Sequence, residues 1–233
     1  MTAVSQGTDA HPVRARAGRF AKASARRAGG GRGGWIRAGV QVVGLAMVGV
    51  VGVSMGGCSG LLAAGQDTNP ALLARAAGQT GAAVAGIPSS TTEQLLFHIH
   101  SHLQLYVNGA HKLIPYGIGI VAPYDLTASQ DGPFASGGKA IYWLHTHDES
   151  GVIHIESPVR RGFTLGDFFD MWGQPLSPDQ VGPAHGTVTA FVNGQPFAGN
   201  PRDIPLGPHS VIQLDVGTPT VPPQPYTFAP TLS

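Results

Sequence analysis

Histidine alternates with apolar or small residues in two parts of this chain. Residues 97–107 read FHIHSHLQLYV, and residues 141–156 read IYWLHTHDESGVIHIE. Successive side chains of a β-strand point to opposite faces, so this period of two predicts strands that carry imidazoles on one face and apolar side chains on the other. Six of the ten histidines in the sequence fall in these two stretches.

The second stretch predicts a β-hairpin, because residues 148–151 (Asp-Glu-Ser-Gly) are turn formers. With a four-residue turn, His145 lies directly opposite His154, on the same face as His147 and Glu156. Opposed Cβ atoms in such a pair are about 4.5–5.5 Å apart, so the two imidazoles are expected to be able to hold one ion. A slip of one residue would place an isoleucine opposite His145 instead.

A short helix is predicted over residues 164–172. Thr164 is a suitable N-cap, Asp167 stands at the capping-box position, and Gly173 is a suitable C-terminal stop. The apolar side chains of this segment share one face, which should pack on a sheet. They are Leu165, Phe168, Phe169 and Trp172.

The order of the elements predicts an α+β domain with a mostly antiparallel sheet and one short packed helix. From residue 141 the order strand, strand, helix, strand, strand is that of a β-grasp unit over residues 141–217, and a β-sandwich is the alternative. Asn-Gly pairs at residues 108–109 and 193–194 predict tight hairpin turns. Residues 122–138, rich in Pro, Gly, Asp and Ser, are expected to form a long loop.

Charge is distributed unevenly along the chain. Eight of the 14 Lys and Arg precede residue 38, whereas from Cys58 onward there are six against twelve Asp and Glu, a net charge of −6 with His neutral. Binding to nucleic acid requires a basic face. The acidic C-terminal part therefore argues against a nucleic-acid partner.

An export signal explains the basic head. Residues 38–57 carry no charge and follow that head directly, which is the layout of a secretory signal, and the run is also long enough to span a bilayer. At its end, Met55-Gly56-Gly57-Cys58 resembles the lipobox of bacterial lipoproteins, which implies that Cys58 is lipidated. An uncleaved membrane anchor and an ordinary signal peptide are the alternatives. The expected location is the extracytoplasmic side of a membrane, in the cell envelope or periplasm.

Four parts are predicted in the chain. Residues 1–57 are the basic head and the signal or anchor, and residues 58–90 have the composition of a flexible tether. Residues 91–218 form the His-rich α+β domain, and residues 219–233 form an extended Pro-rich tail. The membrane is then a partner through the N-terminal anchor, whereas no protein partner is indicated.

The alternating imidazoles predict a metal site, because zinc is held by imidazole and carboxylate ligands. Cys58 is the only Cys, and Met171 is the only Met beyond residue 57. Soft-ligand binding of Cu(I) is therefore disfavoured. Zn(II) or Cu(II) is the expected metal, and Ni(II) is a further alternative. The candidate ligands are His98, His100, His102, His145, His147 and His154.

Three functions are compatible with such a site. The surplus of histidines favours an extracytoplasmic protein that binds Cu(II) or Zn(II). The second is a metal-dependent hydrolase or lyase, in which Glu156 or Asp148 serves as general base toward a metal-bound water. The third is a metal-free interaction module, in which the imidazoles form the solvated face of the strands. The sequence leaves all three open.

Overall fold

The structure is a computed structural model that describes residues 65–232. The predicted basic head, the apolar run and the lipobox-like segment ending at Cys58 lie outside these residues. Within residues 65–232, no helix combines the length and the apolar character needed to cross a bilayer.

The described part consists mainly of strands, with one α-helix, α1 (Leu165–Trp172), and two 3-10 turns (Pro201–Asp203 and Pro230–Leu232). The prediction of a sheet-rich fold with one short helix is confirmed at this level. In chain order the strands are β1 (Ser89–Ser90), β2 (Phe97–Val107), β3 (Ala110–Lys112), β4 (Ile120–Val121), β5 (Asp125–Ser129), β6 (Gly132–Gly137), β7 (Ala140–Tyr142), β8 (Leu144–His145), β9 (Val152–Ser157), β10 (Leu176–Ser177), β11 (Gln180–Val181), β12 (Ala184–His185), β13 (Val188–Val192), β14 (Gln195–Phe197) and β15 (Ser210–Val216).

The largest sheet is built around β2. Its order is β14-β13-β15-β2-β9-β8, and β3 pairs with the end of β2. Strand β2 runs parallel to β15 and antiparallel to β9. Because β2 separates β9 from β15, residues 141–217 do not form a β-grasp unit by themselves, which corrects that prediction. All four sheets are open; the largest is mixed and the three smaller ones are antiparallel, and the sandwich alternative is not confirmed.

The predicted alternation of β2 is present. Leu103 and Leu105 are buried in the main apolar core, while His100, His102 and Gln104 point to the opposite face, as the period of two requires. Both faces of this central strand are covered, because Gln104 is also buried.

Helix α1 begins and ends as predicted. Thr164 Oγ1 accepts from the Asp167 backbone N–H, the Thr164 N–H donates to Asp167 Oδ2, and Gly173 adopts the left-handed conformation with φ 72°. The apolar side chains of the helix are fully buried against the sheet. They are Leu165, Phe168, Phe169, Met171 and Trp172.

Both Asn-Gly pairs form the predicted hairpin turns, since Asn108, Gly109, Asn193 and Gly194 all have positive φ. The predicted long loop over residues 122–138 is wrong, because β5 and β6 pair there as an antiparallel hairpin. All five residues of β5 are exposed. A strand that is exposed along its length does not need alternating apolar residues, so the hydrophobic pattern of the sequence does not indicate it.

Residues 65–90 pack on the domain, unlike the flexible tether that was predicted for residues 58–90. Ile87 is fully buried. The indole N–H of Trp172 donates to the Arg75 carbonyl at 3.1 Å, and Gln79 Nε2 donates to the Met171 carbonyl at 2.6 Å. A backbone carbonyl and an amide side chain of this Ala- and Gly-rich segment thus attach it to α1.

The Pro-rich tail lies along the polar face of the main sheet. Gln213 and Asp215 of β15 are buried there. Gln213 Nε2 donates to the Val221 carbonyl at 2.9 Å, the Val221 N–H donates to Asp215 Oδ1 at 2.7 Å, and the Gln224 N–H donates to Gln213 Oε1 at 2.8 Å. The tail therefore forms part of the wall over the histidine-bearing face.

Candidate metal centre

Three adjacent strands bring the histidines together, with β9 between β2 and β8. His154 of β9 lies opposite His145 of β8 and, on its other side, opposite His100 of β2. The predicted register of the hairpin is confirmed, since His145 and His154 share one face with ring centroids 5.2 Å apart.

The turn of this hairpin is held close to β2. Gly151 has φ 85°, and a Cβ at this position would overlap the Leu103 carbonyl oxygen. The Leu103 N–H donates to the Gly151 carbonyl at 2.9 Å. A glycine is required here because the backbone approaches its neighbour closely in a left-handed conformation.

One group of four side chains has the dimensions of a metal site. The ligand atoms of His145, His147, His154 and Glu156 all lie within 4.8 Å of one another. His145 Nε2 is 3.2 Å from His147 Nε2 and 3.8 Å from Glu156 Oε1, and His154 Nδ1 is 3.2 Å from Glu156 Oε1. Tetrahedral ligands around an ion at 2.0–2.1 Å lie roughly 3.3–3.4 Å from one another. The group could therefore hold a single metal ion.

Backbone carbonyls orient two of these rings. His145 Nδ1 lies 2.9 Å from the Tyr142 carbonyl, and His147 Nδ1 lies 2.6 Å from the Ala135 carbonyl. Because a carbonyl only accepts, each Nδ1 carries the proton, and each Nε2 presents a lone pair in the neutral ring. Two such lone pairs face each other at 3.2 Å, a contact that needs a cation or a shared proton between them.

Burial favours a cation over a shared proton between the two Nε2 atoms. Burial is the main cause that lowers the pKa of His145 well below its ordinary value, and repulsion from His147 and His154 adds to the effect. Burial likewise lowers the pKa of His154 well below its ordinary value, followed by repulsion from His147, His100 and His98. Neutral imidazole is the form that binds a metal ion.

A second group consists of His98, His100 and His154. His98 Nε2 lies 3.0 Å from His100 Nε2 and 3.1 Å from Glu156 Oε1, and His100 Nδ1 donates to the Leu232 carbonyl at 2.9 Å. Here His98 can carry a proton on Nε2 and donate it to its neighbours. The hydrogen-bonding nitrogens of His98 and His100 therefore have partners without a cation, whereas the facing Nε2 atoms of His145 and His147 do not.

His102, also predicted as a ligand, belongs to neither of these two groups. Its Nε2 donates to the Ser150 carbonyl at 2.9 Å, and its ring stacks on Tyr226 with centroids 3.4 Å apart. Burial lowers the pKa of His102 to about 4. Its partner on the neighbouring strand β9 is Val152 and not a polar residue. The alternation of histidines along β2 therefore continues past the residues at which the imidazoles meet.

The two predicted carboxylates have different surroundings. Glu156 belongs to the four-residue group and is 2% exposed, with its Oε2 lacking a hydrogen-bond partner in the part of the chain that the structure describes. Asp148 Oδ1 accepts from both the backbone N–H and the hydroxyl of Ser150. Asp148 is thus partly engaged in the turn, whereas Glu156 is available to a ligand.

A cavity of about 440 Å³ opens onto the group and is lined by His147, His154 and Glu156. The sequence did not indicate Glu93, which also lines this cavity and has Oε1 at 3.5 Å from His147 Nε2. Burial and the negative charge of Glu156 raise the pKa of Glu93. Glu93 precedes the alternating strand, and no pattern in the sequence marks it.

No family model matches this chain, and neither a curated protein nor a solved structure matches it. Function is therefore inferred from the geometry of the site.

Proposed function

We propose that the domain binds one transition-metal ion, Zn(II) or Cu(II), through His145, His147, His154 and Glu156. The observation that carries the proposal is the 3.2 Å contact between two Nε2 atoms whose rings both donate Nδ1–H to a carbonyl. Three nitrogens and one oxygen suit Zn(II) and Cu(II) better than Ca(II) or Mg(II), which prefer oxygen ligands. Met171 is buried in the core and adds no soft ligand.

We further propose that the ion is bound outside the cytoplasm, by a protein attached to the membrane through Cys58. The support is the order of basic head, uncharged run and lipobox-like tetrapeptide in the sequence. Intact-mass measurement of the membrane fraction should show a chain that begins at Cys58 and carries lipid. A soluble product that retains residues 1–57 would contradict this location.

Metal analysis of the full chain, purified without a His tag, tests the binding proposal. About one Zn(II) or Cu(II) per chain is expected. His145→Ala and His154→Ala should each abolish most of the binding, and the double variant should lose little more because both changes remove the same site. His185→Ala is the control, since His185 is exposed and belongs to neither histidine group.

A metal-free wild-type protein that also fails to take up Zn(II) or Cu(II) would overturn the proposal. So would equal binding by the wild type and the His145→Ala variant. Circular dichroism of each variant distinguishes loss of the site from loss of the fold.

A metal-dependent hydrolase or lyase is the second candidate, and the cavity beside the ligands favours it. Burial and the charge of Glu156 raise the pKa of Glu93, which is the direction that favours a general base, and Glu93 Oε1 lies 3.5 Å from His147 Nε2. In this role Glu93→Gln should retain the metal but lose hydrolysis of an activated ester such as p-nitrophenyl acetate. Loss of the metal in Glu93→Gln would instead make Glu93 a ligand.

A further inference from the structure

Negative charge is unbalanced in the cavity beside the histidines. Four carboxylates line it, those of Glu93, Asp131, Asp148 and Glu156, and among residues 65–232 no Lys or Arg does so. Their four formal charges give −4, and a divalent ion at the proposed site would leave −2. Even a protonated Glu93 would leave −1. An anionic ligand is therefore repelled with the ion or without it.

One buried acceptor in this cavity has no donor. Glu156 is 2% exposed. Its Oε1 lies 3.1 Å from His98 Nε2 and 3.2 Å from His154 Nδ1, whereas its Oε2 has no hydrogen-bond partner among the described residues. Leaving a buried acceptor unpaired is costly. No donor therefore offsets the charge on this oxygen, which adds to the negative potential of the cavity that Glu156 lines.

Two aromatic rings form part of the wall. Phe134 stacks on His147 with ring centroids 4.7 Å apart, and Tyr226 stacks on His102. Both residues also line the cavity. The π face of an aromatic ring attracts an ammonium group, so rings fixed by histidines and bordered by carboxylates favour an organic cation.

The phenol of Tyr226 is close to the same carboxylates. Burial, followed by the charges of Asp148 and Asp131, raises the pKa of Tyr226. The phenol is therefore neutral at pH 7 and adds no negative charge to those of the four carboxylates. A volume of about 440 Å³ is within the range of small-molecule sites.

We propose that this cavity binds a small aromatic amine in its cationic form, with the ammonium group beside Asp131 and Asp148 and the ring against Phe134 and Tyr226. This ligand goes beyond the metal proposed above. Because the charge balance is negative with or without the ion, amine binding does not depend on the success of that proposal.

Calorimetric titration at pH 7 of the full chain tests the ligand class with three probes of similar shape, which are phenethylamine, phenylacetate and phenethyl alcohol. Each titration is made on metal-loaded and on chelator-treated protein. Phenethylamine should bind roughly tenfold more tightly than phenylacetate in both states. Equal or tighter binding of phenylacetate would overturn the inference, and so would failure of all three probes to bind.

Paired substitutions locate the amine. Asp131→Asn with Asp148→Asn should weaken phenethylamine binding roughly tenfold and leave phenethyl alcohol unaffected. Asp179→Asn with Asp203→Asn removes the same charge from exposed positions outside the cavity lining and should change neither. An equal loss in both double variants would overturn the location. Metal content, measured on the same samples, reports separately on the proposed function.

Discussion

Three histidines on one strand have three different environments. His98 is exposed, His100 is buried and donates to the Leu232 carbonyl, and His102 is buried against Tyr226. In the sequence they occupy equivalent alternating positions. The period of two fixes which face a side chain joins, whereas its solvation and its partners depend on what covers that face. His102 was therefore predicted as a ligand on the same grounds as His100.

His102 should make the metal-free protein less stable in acid. Its pKa is lowered to about 4 in the folded state, whereas in the unfolded chain it is about 6.5. Between these values the unfolded state binds the extra proton, so the free energy of unfolding falls as the pH falls, by about 3 kcal/mol in total. Above about pH 6.5 this contribution to stability is complete.

Urea unfolding in the presence of a chelator, from pH 7 to pH 4, measures the effect. His102→Phe keeps a ring against Tyr226 but cannot take up a proton, so its stability should fall less over this range than that of the wild type. The same decrease in both proteins would contradict the prediction.

At the scale of individual helices, strands and turns, the structure agrees closely with the local sequence signals. The capping box of α1, the two Asn-Gly turns and the alternation of β2 are all present. Each signal acts through neighbours a few residues apart, such as the hydrogen bonds between Thr164 and Asp167. The hairpin of β5 and β6 was missed because an exposed ladder depends on backbone pairing rather than on apolar side chains.

Thr164→Ala should lower the free energy of unfolding by about 1 kcal/mol, because the first turn of α1 loses its N-cap acceptor. For a chain of this size the melting temperature should drop by about 2–4 °C. Thr91→Ala is the matched control, since Thr91 is exposed and precedes β2. Equal losses in differential scanning calorimetry would show that the cap contributes nothing.

At the scale of the whole molecule, the site depends on segments far apart in the chain. His147 Nδ1 donates to the Ala135 carbonyl of β6, and His100 Nδ1 donates to the Leu232 carbonyl in the tail, and these hydrogen bonds orient both rings. Tyr226 in the tail covers His102. The tail is thus a structural part of the domain, and removing it changes the wall of the cavity as well as stability.

Deletion of residues 219–233 should destabilise the protein by about 3 kcal/mol, because three hydrogen bonds between the tail backbone and the side chains of Gln213 and Asp215 are lost. Chemical denaturation of the truncated and complete chains measures the difference. Gln224→Ala keeps the backbone N–H that binds Gln213 and should remain near wild type. A truncated protein of unchanged stability would contradict the role assigned to the tail.

The sequence by itself determined the features that depend on near neighbours. The period of two and a four-residue turn placed His145 opposite His154 on one face, and capping residues fixed the ends of α1. Only the tertiary structure decided that β2 lies beside β9, that Glu93 reaches His147 and that the tail covers His102. These contacts join residues far apart in the chain, and several use backbone carbonyls, which every residue has and no sequence pattern marks. Which of these long-range contacts form is decided by how the whole sheet packs with the segments that cover its faces.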